Sequence, residues 1–263
     1  MKIQIAGYGF VGKAHAFALA GGNDSVIVYD PALGYTNWYE DADCVIIAVS
    51  TPENEDDGSC DMRNVYGVLE TCPDVPILIK STISLEGWVS IENNFPDKQI
   101  TFSPEYLRAN HAVEDFKKQQ VIQLGGGEIA FWVELLSKKL NCKLEVADPK
   151  ELILSKYFIN SFLATKVAFF NQVYDLCEAA GVDYALVSHF ITQDRRIGKS
   201  HTQITRERGF GGHCFPKDTS AICRTGERYG ESMSIIESAR KYNNQLRMDM
   251  SNVIHIDTAK SNQ

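Results

Sequence analysis

Cys214 stands in the stretch GFGGHCFPKD, residues 209–218. A thiol in this setting can be a nucleophile raised on a backbone turn. Gly211 and Gly212 permit unusual backbone angles and the close approach of a substrate. Lys217 and nearby backbone amides favour a thiolate, and Asp218 can hold or deprotonate water. The same cysteine can instead be a small buried apolar residue, and the residue types alone leave both readings open. Lys156 and Asn160, four apart on a predicted helix, share one face. A lysine on a largely apolar helix either meets a partner or ligand, or reaches solvent along its stem. A third constellation is Gly7, Gly9 and Gly12, spaced G-x-G-x-x-G. Here the first glycine allows a tight turn, the second a close approach by a pyrophosphate, and the third close helix–strand packing.

The elements that must position these groups follow from the hydrophobic pattern. KIQIA leads into the glycine turn and a helical segment, whose first amides would face the phosphates. SVIVYD is a second strand ending in Asp30, eighteen residues past Gly12. A carboxylate there accepts hydrogen bonds from the adenosine ribose and repels a 2′-phosphate, which favours NAD over NADP; the plainer alternative is a cap or turn residue. Further strands are expected at 44–49, 76–81, 99–104 and 121–126, separated mostly by helix-compatible stretches. This alternation predicts an N-terminal Rossmann-type doubly wound α/β sheet, mostly parallel, over residues 1–147. Ser50, Thr51 and Pro52, Thr82 and Glu105 fall at strand ends, where such sheets place ligands.

Residues 148–263 read as a mainly α-helical second domain carrying the cysteine loop. Asp148, Pro149 and Glu151 form a helix start, and Gly181 a stop. The long central helix between them, apolar around most of its circumference, is expected to support a homodimer.

The 263 residues suffice for two modest domains, and the composition, 44% hydrophobic and 23% charged, is that of a globular protein. A formal net charge of −8 argues against nucleic-acid partners. No apolar run approaches the roughly 20 residues of a bilayer span, so no membrane partner is expected. MKIQIAGYGF has no signal-peptide anatomy, and seven cysteines without metal-ligand or disulfide spacing point to free thiols in a reducing cytoplasm, with no metal.

The segments GYGFVG, STPENEDDGSCD, KSTIS, SPEYLR, KYFINSFLATKVAFFNQ, DRRIG and GFGGHCFPKD occur in that order. In them the chain resembles the UDP-glucose/GDP-mannose dehydrogenase family, from residue 1 to about 247. The resemblance implies a four-electron oxidation of a nucleotide sugar's C6 alcohol to a uronic acid with two NAD, a UDP-hexose being the expected substrate. It implies Cys214 as nucleophile, Lys156 and Asn160 as oxyanion stabilisers, Asp218 as the group that orients water, and Glu105 as general base acting through Thr82 and water. It further implies cofactor contacts from Gly7, Gly9, Phe10, Val11, Gly12, Asp30, Val49, Thr51, Thr82 and Lys217. Substrate contacts would come from Glu105, Tyr106, Leu107, Lys156, Asn160 and Gly211, with Arg196 of DRRIG reaching a partner subunit's substrate.

Departures from the family pattern are Ala109 where a second acid is usual, Ser84 for proline, and His213 for serine. Family members also continue into a further Rossmann-like domain that holds the nucleotide, so a short form is expected. Two other functions remain compatible with the residues. One is a two-electron β-hydroxyacid-type dehydrogenase, which shares the Lys-x-x-x-Asn pair but has no need of GGHCFPKD. The other is a catalytically silent NAD-binding subunit.

Overall fold

The computed structural model describes the backbone of residues 1–260 and the side chains of residues 1–248. The chain divides into two compact units, the first of residues 1–56 and 60–156, the second of 57–59 and the chain from 157 onward.

Among the described residues the first unit is built on a seven-stranded sheet: β1 (Lys2–Ala6), β2 (Ser25–Tyr29), β3 (Cys44–Ile47), β4 (Ile77–Ile79), β5 (Ile100–Phe102), β6 (Val121–Gly126) and β7 (Lys143–Val146). The order is β2-β1-β3-β4-β5-β6-β7. All neighbouring pairs are parallel except β5 with β6. The continuous apolar runs are what a sheet covered on both faces requires: Cys44, Val45, Ile46 and Ile47 are all fully buried. The helices are α1 (Phe10–Leu19), α2 (Arg63–Thr71), α3 (Leu85–Asn94), α4 (Ala112–Lys118) and α5 (Ile129–Lys139). Trp132, Leu135 and Leu136 of α5 join Ile3, Ile5, Ile46 and Leu78 of the strands in one core. Ala14 of α1 meets Phe116 of α4 in another. β1 lies between β2 and β3, so the winding reverses there, and the crevice for a ligand opens at the carboxyl ends of β1 and β3.

The second unit carries most of α6 (Pro149–Ala180), then α7 (Tyr184–Gln193), α8 (Phe215–Arg228) and α9 (Ser234–Lys260). The start of α6 is the expected reciprocal cap. Asp148 Oδ1 accepts the Lys150 N–H at 2.8 Å, and the Asp148 N–H donates to Glu151 Oε2 at 3.2 Å. Its end is closed by Gly181, and the Val182 N–H donates to the Cys177 carbonyl at 2.9 Å. The units divide after Lys156 and not at the helix start, because the first two turns of α6 bury Leu152 and Ile153. α6 is long and apolar enough to cross a membrane by length and composition. One side of it is packed: Ala164 and Ala168 meet Phe210 and Ala239 of α9, the small side chains allowing close approach.

Candidate active site

In the first unit the glycine turn joins β1 to α1. Gly7 has φ +91°, a conformation side chains rarely adopt, and a Cβ there would lie 2.6 Å from the Ala48 carbonyl oxygen, just past β3. A Cβ on Gly12 would run into the Gly7 carbonyl, whereas Gly9 faces open space. Gly9 is also the N-cap of α1 and offers no side-chain cap, so the first-turn amides of the helix, in Phe10 and Val11 and beyond, stay available to an anion. Asp30 follows β2, and its Oδ2 accepts the Tyr8 N–H at 2.8 Å, which ties the acid to the turn. Val49 is half-buried and Thr51 buried, just beyond β3. Ser81 Oγ donates to the Val49 carbonyl at 2.8 Å and braces this strand end. Open space at Gly9, uncapped helix amides and an acid after β2 suit a dinucleotide.

Thr82 is half-buried beyond β4, and its carbonyl accepts from the Cys60 thiol at 3.6 Å. Ser84 caps α3, its Oγ accepting the Gly87 N–H at 3.0 Å. Glu105 is buried on the loop after β5. Its Oε1 accepts the Tyr106 N–H at 2.9 Å, while Oε2 lies 3.1 Å from Lys80 Nζ and 3.7 Å from His15 Nε2. Burial pushes the carboxyl up, but Lys80, the Tyr106 N–H and, in the acid range where its ring is protonated, His15 outweigh it and hold Glu105 below its ordinary value. His15 is lowered to about 4, chiefly by burial and then by Lys80. Neither Lys80 nor His15 stands out in the sequence. Burial and the Glu105 charge push the Tyr106 hydroxyl up to about 12. The Tyr106 ring lies 5.0 Å from Lys156 Nζ, a cation–π pairing that helps hold a buried ammonium. Leu107 packs into the core with Ala14 and Phe116, so its side chain is taken up by packing and only its backbone is left for a substrate.

In the second unit Cys214 is half-buried at the N-cap of α8, and its carbonyl accepts the Asp218 N–H at 2.9 Å. Cys214 therefore opens the helix and makes no side-chain cap. Asp218 is 1% exposed. Its Oδ2 accepts from Asn160 Nδ2 and its Oδ1 from Lys217 Nζ, both at 2.6 Å. Asn160, Lys217 and Asp218 therefore meet at the first turn of the helix that begins with Cys214. With both oxygens engaged, Asp218 is a fixed carboxylate. Gly212 has φ +75°, so a glycine is needed there, and His213 is exposed. Gly211 sits tightly against Arg247, whose guanidinium would lie 2.9 Å from a Cβ at this position.

The fasteners of this loop are not legible in the sequence. Asn243 of α9 grips Phe210 by its backbone, accepting its N–H at 2.6 Å and donating to its carbonyl at 3.1 Å. Asn171 of α6 accepts from Arg208 Nε at 2.9 Å and from the Gly209 N–H at 3.2 Å. Arg247 donates to the Arg208 carbonyl at 3.0 Å. The Arg196 side chain is 89% exposed and paired with Asp194 at 2.6 Å.

Residues 32–131 match the model of the NAD binding domain of the UDP-glucose/GDP-mannose dehydrogenase family, and residues 151–245 match the model of its central domain. The chain belongs to this family. The first unit is accordingly the family's NAD-binding domain, and the central-domain match holds Lys156, Asn160, Cys214 and Asp218.

Among relatives of this family, the UDP-glucose 6-dehydrogenase of Rickettsia felis is 33% identical over 230 residues, covering 82% of this chain and 51% of that protein. The chain thus spans about half the length of the curated relatives it matches. The structure of a UDP-glucose dehydrogenase from Pyrobaculum islandicum superposes with a TM-score of 0.78 at 30% identity, covering 93% of this chain and 68% of that one. A UDP-D-ManNAc dehydrogenase from Pyrococcus horikoshii shares the fold, with a TM-score of 0.79 at 19% identity over 100% of this chain and 72% of that one.

Proposed function

We propose that the protein catalyses the NAD-dependent, four-electron oxidation of the C6 alcohol of a nucleotide sugar, a UDP-hexose, to the uronic acid. The observation that carries this reading is Cys214 at the head of α8, with Asp218 fixed one turn on by Asn160 and Lys217. An enzyme making only one two-electron oxidation needs no such thiol. NAD, when bound, supplies the hydride acceptor for both oxidations.

Glu105 takes the alcohol proton, by way of Thr82 and water, as C6 becomes an aldehyde. The Cys214 thiolate adds to the aldehyde carbon, forming a C–S bond and a thiohemiacetal. The Lys156 ammonium and an Asn160 N–H stabilise the oxyanion. One Nδ2 hydrogen of Asn160 is held by Asp218, which fixes the amide plane and leaves the second for this role. Loss of the second hydride gives a thioester. Glu105 returns its first proton to solvent, and water, oriented by Asp218 and deprotonated by Glu105, then cleaves the C–S bond to release the carboxylate and the thiolate. Tyr106, the Leu107 backbone and Gly211 line the sugar side in this reading, and Gly7, Gly9, Phe10, Val11, Gly12, Asp30, Val49, Thr51 and Lys217 the dinucleotide side.

The reading extends to the assembly and its setting. Phe158, Ile159, Phe162, Phe169 and Leu176 of α6 and Phe190 of α7 are exposed, an apolar surface that supports a homodimer in which Arg196 serves the partner. Light scattering at micromolar concentration should give twice the chain mass. The seven free cysteines suit a reducing cytoplasm. Function is tested with a panel of UDP- and GDP-sugars and NAD, following NADH and identifying the product. Two NADH per uronic acid is expected; one NADH with an aldehyde or ketone product overturns the reading.

A further inference from the structure

Two of the groups that enclose Glu105, Lys80 and His15, have no part in the proposed reaction. Lys80, just beyond β4, is itself 3% exposed, and its Nζ sits among three oxygens: Ser103 Oγ at 2.9 Å, the Pro104 carbonyl at 3.3 Å and Glu105 Oε2 at 3.1 Å. The two oxygens other than Glu105 belong to the residues just before it, so Lys80 binds the loop as well as the carboxylate. His15, from the second turn of α1, stands 3.7 Å from the same Oε2. Tyr106, on the loop itself, donates its N–H to Oε1 and turns its hydroxyl toward Gln123 Oε1 at 3.2 Å. Lys156 of α6 lies over the Tyr106 ring. Oε2 makes no well-aligned hydrogen bond, so what meets it is charge.

The two neighbours of Oε2 differ in whether they bring that charge. His15 Nδ1 lies 2.9 Å from the Val11 carbonyl, an arrangement that makes Nδ1–H the donor and leaves Nε2 bare. Burial and Lys80 hold the ring neutral at neutral pH. The positive charge beside Glu105 is therefore that of Lys80.

We propose that Lys80 is a positioning residue for Glu105, fixing its carboxylate in one orientation and in the charged form from which it can take a proton. The proposal rests on the reading of Glu105 as the base. A carboxyl this deeply buried without a counter-charge takes up a proton instead, and in that form it cannot act as a base. Lys80 and the backbone N–H of Tyr106 oppose that outcome from two sides, and His15 closes the pocket without adding charge.

The test follows the Glu105 carboxyl by 13C NMR in the full chain, its resonance assigned by its absence in Glu105→Gln. In Lys80→Met the carboxyl should titrate at least one pH unit higher than in the unaltered protein. The acid limb of kcat/KM should move up by the same amount, and Lys80→Arg should restore both. His15→Gln should leave Glu105 ionised at pH 6. An unmoved titration in folded Lys80→Met overturns the proposal. A moved titration with an unmoved acid limb upholds the role of Lys80 and removes Glu105 as the base. If Lys80→Met does not fold, the unaltered protein and His15→Gln decide: Glu105 ionised at pH 6 in both supports Lys80 as its counter-charge, and Glu105 protonated in either overturns it.

Discussion

Each unit buries one carboxylate beside a lysine, and the two are held differently. Glu105 and Lys80 come from separate strand ends, 25 residues apart in the chain, and both are buried, with side-chain exposures of 7% and 2%. Asp218 and Lys217 are neighbours in sequence, and the Lys217 side chain keeps 21% of its surface in solvent. The second oxygen of Asp218 is satisfied by the neutral amide of Asn160, from another helix. A desolvated pair is weak as a source of stability, yet breaking it strands a charge. A pair with one wet partner contributes little, whereas the amide bond fixes where the carboxylate points. The first pocket keeps a charge; the second keeps a position. That suits the proposed division of work, with a proton acceptor in the first unit and covalent chemistry beside a fixed acid in the second.

The largest expected effect tests whether the second pocket serves chemistry. Cys214→Ser should lose steady turnover by about a thousandfold or more, because a serine hydroxyl is far less ionised than a thiol at neutral pH and an ester hydrolyses more slowly than a thioester. NAD affinity should stay unchanged, since the glycine turn belongs to the first unit, and any product formed should remain attached to the chain in a mass spectrum. Lys156→Ala should fail without a trapped adduct, having lost oxyanion stabilisation at every step. Turnover by Cys214→Ser near the rate of the unaltered protein would erase the functional half of the comparison.

Removing each lysine tests the energetic half. Lys80→Met leaves a buried carboxylate unpaired and should destabilise by about 3–5 kcal/mol. Lys217→Met removes a partly solvated partner while Asn160 still holds Asp218, and should cost about 1 kcal/mol or less. Thermal unfolding of the two variants should therefore separate clearly, with the larger drop at Lys80. Equal drops would mean that the Lys217 pair is as strongly coupled to the fold as the Lys80 pair.

How much of this is legible in the sequence follows from the range of each interaction. The glycine turn, Asp30 and both ends of α6 are local patterns, and the structure places them where the residue types indicate. β7 escapes the hydrophobic pattern because KLEV is short and carries two charges, as suits a half-exposed edge strand. The antiparallel turn of β6 is hidden as well, since the direction of a strand is not written in its own residues. The supports of both pockets are long-range. His15 reads as one more residue of α1 and Lys80 as a charge at a strand end, until β4, β5 and α1 bring them to Glu105. Asn171, Asn243 and Arg247 grip the backbone of the cysteine loop through side-chain contacts that have no local signature. Cys214 itself becomes readable through the family resemblance and not through its neighbours alone.

His15 gives the first pocket a pH dependence. Its folded value, about 4, lies below the ordinary histidine value of 6.5. Its contribution to stability is therefore fully present above pH 6.5 and is lost as the pH falls from there through about 4, because the unfolded chain takes up a proton that the folded chain refuses. The loss should amount to roughly 3 kcal/mol. Glu105 adds a further loss lower down, as the pH falls below 4.5 through its depressed folded value. Chemical denaturation at pH 7 and pH 5 should show a smaller difference in His15→Gln than in the unaltered protein. Equal differences would mean that His15 is not held neutral by its pocket.

A smaller effect on activity concerns a third carboxylate, Asp30, which is half-exposed and bound to a backbone amide instead of a lysine. It combines what the two pockets separate: a charge that would repel a 2′-phosphate, and a hydrogen bond that positions the glycine turn through Tyr8. Asp30→Asn keeps an oxygen for the Tyr8 N–H and removes the charge, so the preference for NAD over NADP in kcat/KM should narrow by about tenfold, or 1.4 kcal/mol, with KM for NAD little changed. Asp30→Ala removes both, and KM for NAD should rise as well, because the turn that presents the α1 amides loses its tie. The pair of variants therefore splits charge from position at one residue. Equal use of NAD and NADP by the unaltered protein would show that Asp30 serves only the turn, and the discrimination would have to be sought elsewhere after β2.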